Sequence, residues 1–287
     1  SSGSIDVKAR EFLFETCKSE HSELRQKYEN ARYIMKISGS GDVAEMISSC
    51  ERPIIYLGQG CADSYKLLRE YAIKSNIPVV VGENKIFIRK VIETKAQEAN
   101  SPIYYSESHY TYSTDLKGNY QLQNINTVVK AIEILKSNWN IIESNIEDGL
   151  LNVSQNTHIR GRWEILSDSP KIICDVGHNE AGVRTIIEQL LKEQFNKLHI
   201  VWGMANDKDL DAILNLLPKD AYYYFCSAQT NRSLDAEILH KKATSLSLKG
   251  EVFKSVSDAF ANAKNTAKSD DLIFIGGSTF TVAEVLS

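Results

Sequence analysis

The feature that most constrains this chain is a regular alternation that begins after Gly161. Short apolar runs occur at 171–174, 198–201, 222–225 and 271–275, with a weaker one at 250–253. Between them lie amphipathic stretches at 182–192, 210–217, 236–244 and 256–267. A helix between two strands is a crossover connection, and crossovers leave neighbouring strands parallel. The runs are apolar at successive positions (Ile172-Ile-Cys174, Leu272-Ile-Phe-Ile275). That is the pattern of strands covered on both faces. The expectation is an α/β fold, with a doubly wound, Rossmann-like domain over 161–287.

Ligands on such a sheet gather outside the carboxyl ends of its strands. Three of those ends are polar: Asp175-Val-Gly-His178-Asn179, Gly203-Met-Ala-Asn206-Asp207-Lys208-Asp209, and Gly276-Gly-Ser278-Thr279. An Asp, a His and an Asn at one strand end can hold a metal, position an amine or contact a phosphate. The plain alternative is a helix-start cap made by Asn179 or Asp175, beside a solvated His178. The other two ends could be turn chemistry alone. Three polar ends on one edge favour a ligand cleft.

Upstream the pattern is less regular. Residues 5–37 carry charges and helix formers that predict one or two helices, broken by Ser38-Gly-Ser-Gly41. Asp42 is placed to cap a short helix ending near Cys50. A strand at 53–57, Gly58-Gln-Gly60, a helix at 63–75 and a strand at 77–81 read as one βαβ unit. Then come a helix at 86–99, a strand at 102–105, a turn at 115–118, a helix at 121–135 and a short helix at 146–153. Residues 1–160 thus read as a second α/β region before the domain at 161–287.

With 287 residues the chain is long enough for about two domains. A net charge of −4 gives no electrostatic reason to expect nucleic acid. The five cysteines are odd in number and contain no CxxC, which fits a reducing, cytoplasmic setting. Cys174, inside an apolar run, reads as a small buried hydrophobe. No apolar run reaches the ~18 residues of a membrane helix. Ser1-Ser-Gly-Ser4 reads as an expression scar or an internal cut.

A resemblance adds to this. Gly161-Arg162-Trp163-Glu164, Ile173-Cys-Asp175-Val-Gly-His178-Asn179-Glu-Ala-Gly182, Val201-Trp-Gly203-Met with Asp207-Lys208-Asp209, and Ile275-Gly-Gly-Ser278 follow one another in order and spacing. From about Pro78 onward the chain resembles folylpolyglutamate/dihydrofolate synthases, members of the Mur ligase group. Asp115-Leu-Lys-Gly118-Asn-Tyr-Gln121-Leu-Gln-Asn124 is similar to the family's segment before its interdomain linker. The resemblance implies an ATP- and Mg²⁺-dependent ligase that joins L-glutamate to folate or dihydropteroate through an acyl phosphate. It implies that Asn124 reads adenine and that Arg162 reaches the ATP phosphates. It places Asp175 and His178 near the nucleotide and the incoming glutamate, and makes Ser278 a glutamate-site hydroxyl.

The chain departs from that family upstream: no Gly-Lys-Ser/Thr phosphate cradle occurs in its 287 residues, the family's central-domain Mg²⁺ ligands and modified lysine have no counterpart, and the first ~77 residues do not fit it. It is therefore expected to lack a complete ATP-hydrolysing site by itself. A non-catalytic module binding a nucleotide or amino acid is the alternative. Residues 43–80 are similar, over a short span, to the middle domain of thiamine-diphosphate enzymes, which makes a fragment of such an enzyme a further reading. Gly58-Gln-Gly60 could then take a phosphate, or merely permit a tight turn.

Overall fold

The computed structural model describes residues 34–36, 54–57, 77–82, 86–106, 110–136 and 139–287. Among these, two sheets form. The first has four strands, β1 (Ile34–Lys36), β2 (Ile54–Leu57), β3 (Val79–Val81) and β4 (Ile103–Tyr105), all parallel and in chain order. Helix α1 (Ile86–Glu98) connects β3 to β4. The parallel pairing of β2 with β3 is what a βαβ unit requires. The helix expected at 63–75 and the one expected to end at Cys50 lie outside the described residues. The helix expected to reach residue 37 is corrected at its end: Ile34, Met35 and Lys36 pair with Ile54, Ile55 and Tyr56. Strand pairing there overrides a local helical preference.

Helix α2 (Gln121–Leu135) has the bounds its periodicity predicts. Its buried Ile125 and Val129 pack with Ile146 and Leu150 of α3 (Glu143–Leu151), under Tyr110 and Tyr112. The single helix expected at 146–153 is instead α3 followed by α4 (Val153–Thr157). The break falls at Asn152, which leaves helical geometry (φ −121°, ψ 31°). Asp115 Oδ2 accepts the Ser154 N–H at 2.8 Å and so holds the start of α4.

The second sheet has six strands: β5 (Glu164–Asp168), β6 (Lys171–Cys174), β7 (Leu198–Trp202), β8 (Tyr222–Phe225), β9 (Lys249–Val252) and β10 (Leu272–Gly276). Their order across the sheet is β5-β6-β10-β7-β8-β9. Five run parallel; β5, which the sequence pattern did not announce, is an antiparallel edge with a register shift between Ile165 and Ser167. Helices α5 (Glu180–Leu190), α6 (Leu210–Leu214) and α7 (Ala236–Ser245) cover one face. Helices α8 (Val256–Thr266) and α9 (Thr279–Leu286) cover the other.

The strands obey the period-2 rule that a two-faced sheet demands. In β10, Leu272 and Phe274 join the core under α5, α6 and α7, while Ile273 and Ile275 join the core under α8 and α9. Strand β10 returns last in the chain and inserts between β6 and β7. The strand order reverses there. That insertion makes β6, β10 and β7 neighbours, so their carboxyl ends share one edge.

Candidate active site

The shared edge is tightly bound. Asp175 N–H donates to the Ile275 carbonyl at 3.1 Å, and Gly203 N–H to the Gly276 carbonyl at 3.3 Å. Gly277 follows at φ +91°, where a Cβ would stand 2.6 Å from the Gly203 carbonyl oxygen and 2.8 Å from the Trp202 ring. Only glycine tolerates both the angle and the approach. Ser278 then caps α9: its Oγ accepts the Thr281 N–H at 3.0 Å and lies 2.9 Å from Thr281 Oγ1. Thr281 Oγ1 donates in turn to the Gly203 carbonyl at 3.2 Å. The Ser278 hydroxyl is therefore buried and engaged, bolting β10 to β7.

Asp175 is 1% exposed and accepts three hydrogen bonds. The Tyr120 hydroxyl donates to Oδ2 at 2.6 Å, the Trp163 N–H to Oδ2 at 2.8 Å, and the Gly177 N–H to Oδ1 at 2.8 Å. Burial pushes this carboxyl above the usual carboxylate range, while the three donors and the Arg162 guanidinium pull against that push. Two of these partners are backbone N–H groups, which can only donate. Burial and the neighbouring Asp175 charge also push the Tyr120 phenol up, so it stays protonated and able to donate. The turn that delivers the Trp163 amide is unusual. Gly161 (φ +69°) and Trp163 (φ +51°) both occupy the left-handed region, and the Trp163 ring is buried beside Phe274. A left-handed Trp is strained by about 1–3 kcal/mol, and here it aims an N–H at a buried carboxyl.

His178 directly follows Gly177 and is partly exposed. Its Nδ1 lies 3.0 Å from the Val176 carbonyl. A carbonyl only accepts, so Nδ1 carries a proton and donates to it. Asn179 caps α5, accepting the Gly182 N–H at 2.8 Å, so capping and an open His178 coexist on one loop. Arg162 is half-buried and close enough to bias Asp175 and Tyr120, and among the described residues its guanidinium has no hydrogen-bonded partner. Asn124 lies one turn into α2 from Tyr120, its Nδ2 donating to Gln121 Oε1 at 2.8 Å.

The structure thus relates Arg162 to Asp175, puts His178 on the loop that the Asp175–Gly177 bond fixes, and puts Asn124 on the helix that starts just after Tyr120. Ser278 sits at the adjacent strand end. Sequence reasoning missed Tyr120, Trp163 and Thr281. Tyr120 falls inside the Asp115–Asn124 stretch and Trp163 inside Gly161–Glu164, yet nothing local relates Tyr120 to an aspartate 55 positions away.

Of the other polar strand end, Asp207 is exposed between Lys208 (3.4 Å) and Arg232 (3.3 Å). The thiols of Cys174 and Cys226 are buried and pushed up to about 12, so neither is a nucleophile near neutrality. Among the described residues no three His, Cys, Asp or Glu side chains group to hold a metal, and no helix is long and apolar enough to cross a membrane.

Residues 161–279 match the family described as Mur ligase, glutamate ligase domain. That stretch, less than half of the chain, is similar to the glutamate ligase domain of Mur ligases. Relatives extend the likeness upstream. The dihydrofolate synthase/folylpolyglutamate synthase of Buchnera aphidicola (subsp. Schizaphis graminum) is 26% identical over 225 residues, 75% of this chain and 51% of that protein. The Escherichia coli K12 protein of the same name is 26% identical over 231 residues, 74% of this chain and 52% of its own length. The chain therefore spans about half the length of these relatives.

Among solved structures, ligand-free bifunctional folylpolyglutamate synthase/dihydrofolate synthase from Yersinia pestis superposes with a TM-score of 0.63 at 25% identity, covering 80% of this chain and 58% of that one. Mycobacterium tuberculosis folylpolyglutamate synthase complexed with ADP and AMPPCP gives 0.67 at 20% identity, over 83% of this chain and 64% of that one. The Mur ligase fold accordingly reaches well upstream of residue 161. The thiamine-diphosphate likeness of the first 77 residues rests on sequence alone; apart from β1, β2 and Ile77, that stretch lies outside the described residues.

Proposed function

We propose that this chain supplies the glutamate-ligase half of an ATP-dependent enzyme that adds L-glutamate to folate or dihydropteroate. The observation that carries this is the carboxyl edge of β6, β10 and β7. There a buried Asp175 holds, through the Trp163 and Gly177 amides, the turn that carries Arg162 and the loop that carries His178, in a domain that matches glutamate ligases. ATP, when bound, supplies the phosphoryl group that turns a carboxylate into an acyl phosphate open to attack by an amine.

The roles of the chain's own residues follow from their geometry. Arg162 offers a guanidinium fork to phosphate oxygens. Asn124 has an amide that can donate to and accept from an adenine edge. His178, whose Nδ1–H is engaged by the Val176 carbonyl, can take at Nε2 the proton that the ammonium of the incoming glutamate must lose before its neutral amine attacks. Asp175 fixes the loop that carries His178, the turn that carries Arg162 and the start of α2. Ser278 forms the neighbouring wall and stands as a glutamate-site hydroxyl only through the capacity its cap leaves over. Among the described residues no group of three His, Cys, Asp or Glu side chains is placed to hold Mg²⁺. The division at 160/161 and a cytoplasmic setting belong to the same proposal, the latter supported by free thiols buried in the core.

The test is calorimetry with ATP and with L-glutamate on this chain, beside ADP release in the presence of dihydropteroate or a reduced folate. Binding of both, weakened in Arg162→Ala, is expected. His178→Ala should slow any turnover by roughly 10²-fold or more while sparing nucleotide affinity. Binding of neither ligand overturns the proposal. A second reading is favoured by the lack of any Gly-Lys-Ser/Thr in the 287 residues: a module that binds nucleotide or amino acid without chemistry. Binding of either ligand with no ADP release in any combination would establish it.

A further inference from the structure

Gln189 is a buried glutamine on the last turn of α5, a helix otherwise packed by Val183, Ile186, Ile187 and Leu190. A buried amide in that company calls for partners. It finds them outside its own sheet. Gln189 Oε1 accepts the Asn119 N–H at 2.7 Å, and Gln189 Nε2 donates to the Lys117 carbonyl at 3.2 Å. One side chain therefore grips the backbone of 117–119 at two points, about as a neighbouring β-strand would. The next residue, Tyr120, donates to Asp175 at 2.6 Å. Helix α2 begins at Gln121, and Asn124 stands on its first turn.

We propose that Gln189 and Tyr120 form a clasp that fixes the amino end of α2, and Asn124 with it, against the strand end carrying Asp175 and His178. Gln189 is then a positioning residue, acting about 70 positions from the segment it holds. Its benefit to ligand binding rests on the function proposed above; the clasp itself does not. The backbone is what Gln189 reads, so the identities of Lys117 and Asn119 matter little. A glutamate at 189 could accept from Asn119 but would face the Lys117 carbonyl with a second acceptor. A methionine would fill the volume and make neither bond.

The experiment compares wild type, Gln189→Met and Tyr120→Phe by hydrogen exchange with mass spectrometry, and by calorimetry with ATP. The clasp predicts that exchange in 115–121 rises about 10-fold or more in Gln189→Met, while the amides of β7 and β10 keep their protection. ATP affinity should fall by roughly 5- to 20-fold in the same variant, because the two sides of the cleft are no longer held in register. Gln189→Glu should fall between wild type and Gln189→Met in both readouts. Unchanged exchange in 115–121 overturns the clasp. Raised exchange with unchanged ATP affinity overturns the positioning role. A rise spread equally over β7 and β10 reveals plain destabilisation and also overturns it. Should wild type bind no ATP, the proposed function fails, and exchange in 115–121 alone decides the clasp.

Discussion

Asp175 meets three donors from three stretches of chain, and each donor predicts a different consequence of its loss. Tyr120→Phe deletes one hydroxyl and leaves the ring. The loss leaves a buried carboxyl oxygen with one donor fewer, so a destabilisation of about 1–3 kcal/mol is expected in chemical denaturation. The pH dependence has a definite sign. Burial holds the folded Asp175 pKa above its unfolded value. Its contribution to stability is thus complete below the ordinary carboxylate range and declines as pH rises through the folded pKa. Removing the Tyr120 donor pushes that pKa higher still, so in Tyr120→Phe the decline should extend to higher pH than in wild type. A melting-temperature profile from pH 3 to 8 reads this directly; an identical profile would mean the Tyr120 bond does not form. At this scale the sequence disclosed the residue types. Asp175 and His178 follow a buried strand, which is where a parallel sheet keeps its polar groups. It could not disclose that Asp175 is enclosed by donors, since Tyr120 and Trp163 reach it only through the fold.

The elements divide by how much of their stability is local. Helix α2 was legible because its apolar spacing, Ile125, Val129 and Ile132, is a complete signal in itself. Strand β5 was not. Glu164-Ile-Leu-Ser-Asp168 has a charge at each end, sits on the sheet edge and is held by pairing with β6 alone. Helix α9 was missed because the sequence around Gly276-Gly277-Ser278 reads as a turn before it reads as a cap. That junction carries its own prediction. Gly277→Ala places a methyl against the Gly203 carbonyl at a positive φ, and should cost about 3 kcal/mol or more, or prevent folding. Ser278→Ala, which leaves the backbone path intact and removes only the cap, should cost about 1 kcal/mol. Denaturant midpoints that rank these two the other way would contradict the junction's geometry.

The amino edge of the same sheet behaves oppositely to the carboxyl edge. Burial pushes the Asp271 carboxyl up. The Lys268 and Lys197 N–H groups at 2.8 and 2.9 Å, with His199 beside them, outweigh that push and leave it below the usual range. Its stabilisation is present above the ordinary carboxylate pKa and is lost as pH falls through the lowered one. Asp271→Asn should therefore lower stability at neutral pH and flatten the acid limb of the stability curve. An acid limb as steep as in wild type would rule out Asp271 as its source.

At the scale of the molecule, the sequence separates two regions by pattern, and the structure contains two sheets that share no strand. What pattern could not convey is how they meet, because the hydrogen bonds that join them among the described residues are distant in sequence: Gln189 on Lys117 and Asn119, and Tyr120 on Asp175. The six-stranded sheet has both faces covered by helices drawn wholly from residues after 161. Its core includes Trp202, Tyr223, Phe225 and Phe274, each nearly or fully buried without help from upstream. Residues 159–287 expressed alone are thus expected to unfold in one cooperative transition. They should be less stable than the whole chain's C-terminal sheet by about 2–5 kcal/mol, the combined loss of two amide bonds and one bond to a buried carboxyl. Tyr120→Phe and Gln189→Met combined in the full chain should reproduce most of that loss, since they remove the same three bonds. A fragment without a cooperative transition would move the division away from residue 160. A fragment as stable as the full chain would show that the two sheets meet without energetic consequence, and the clasp would then have no bearing on the cleft.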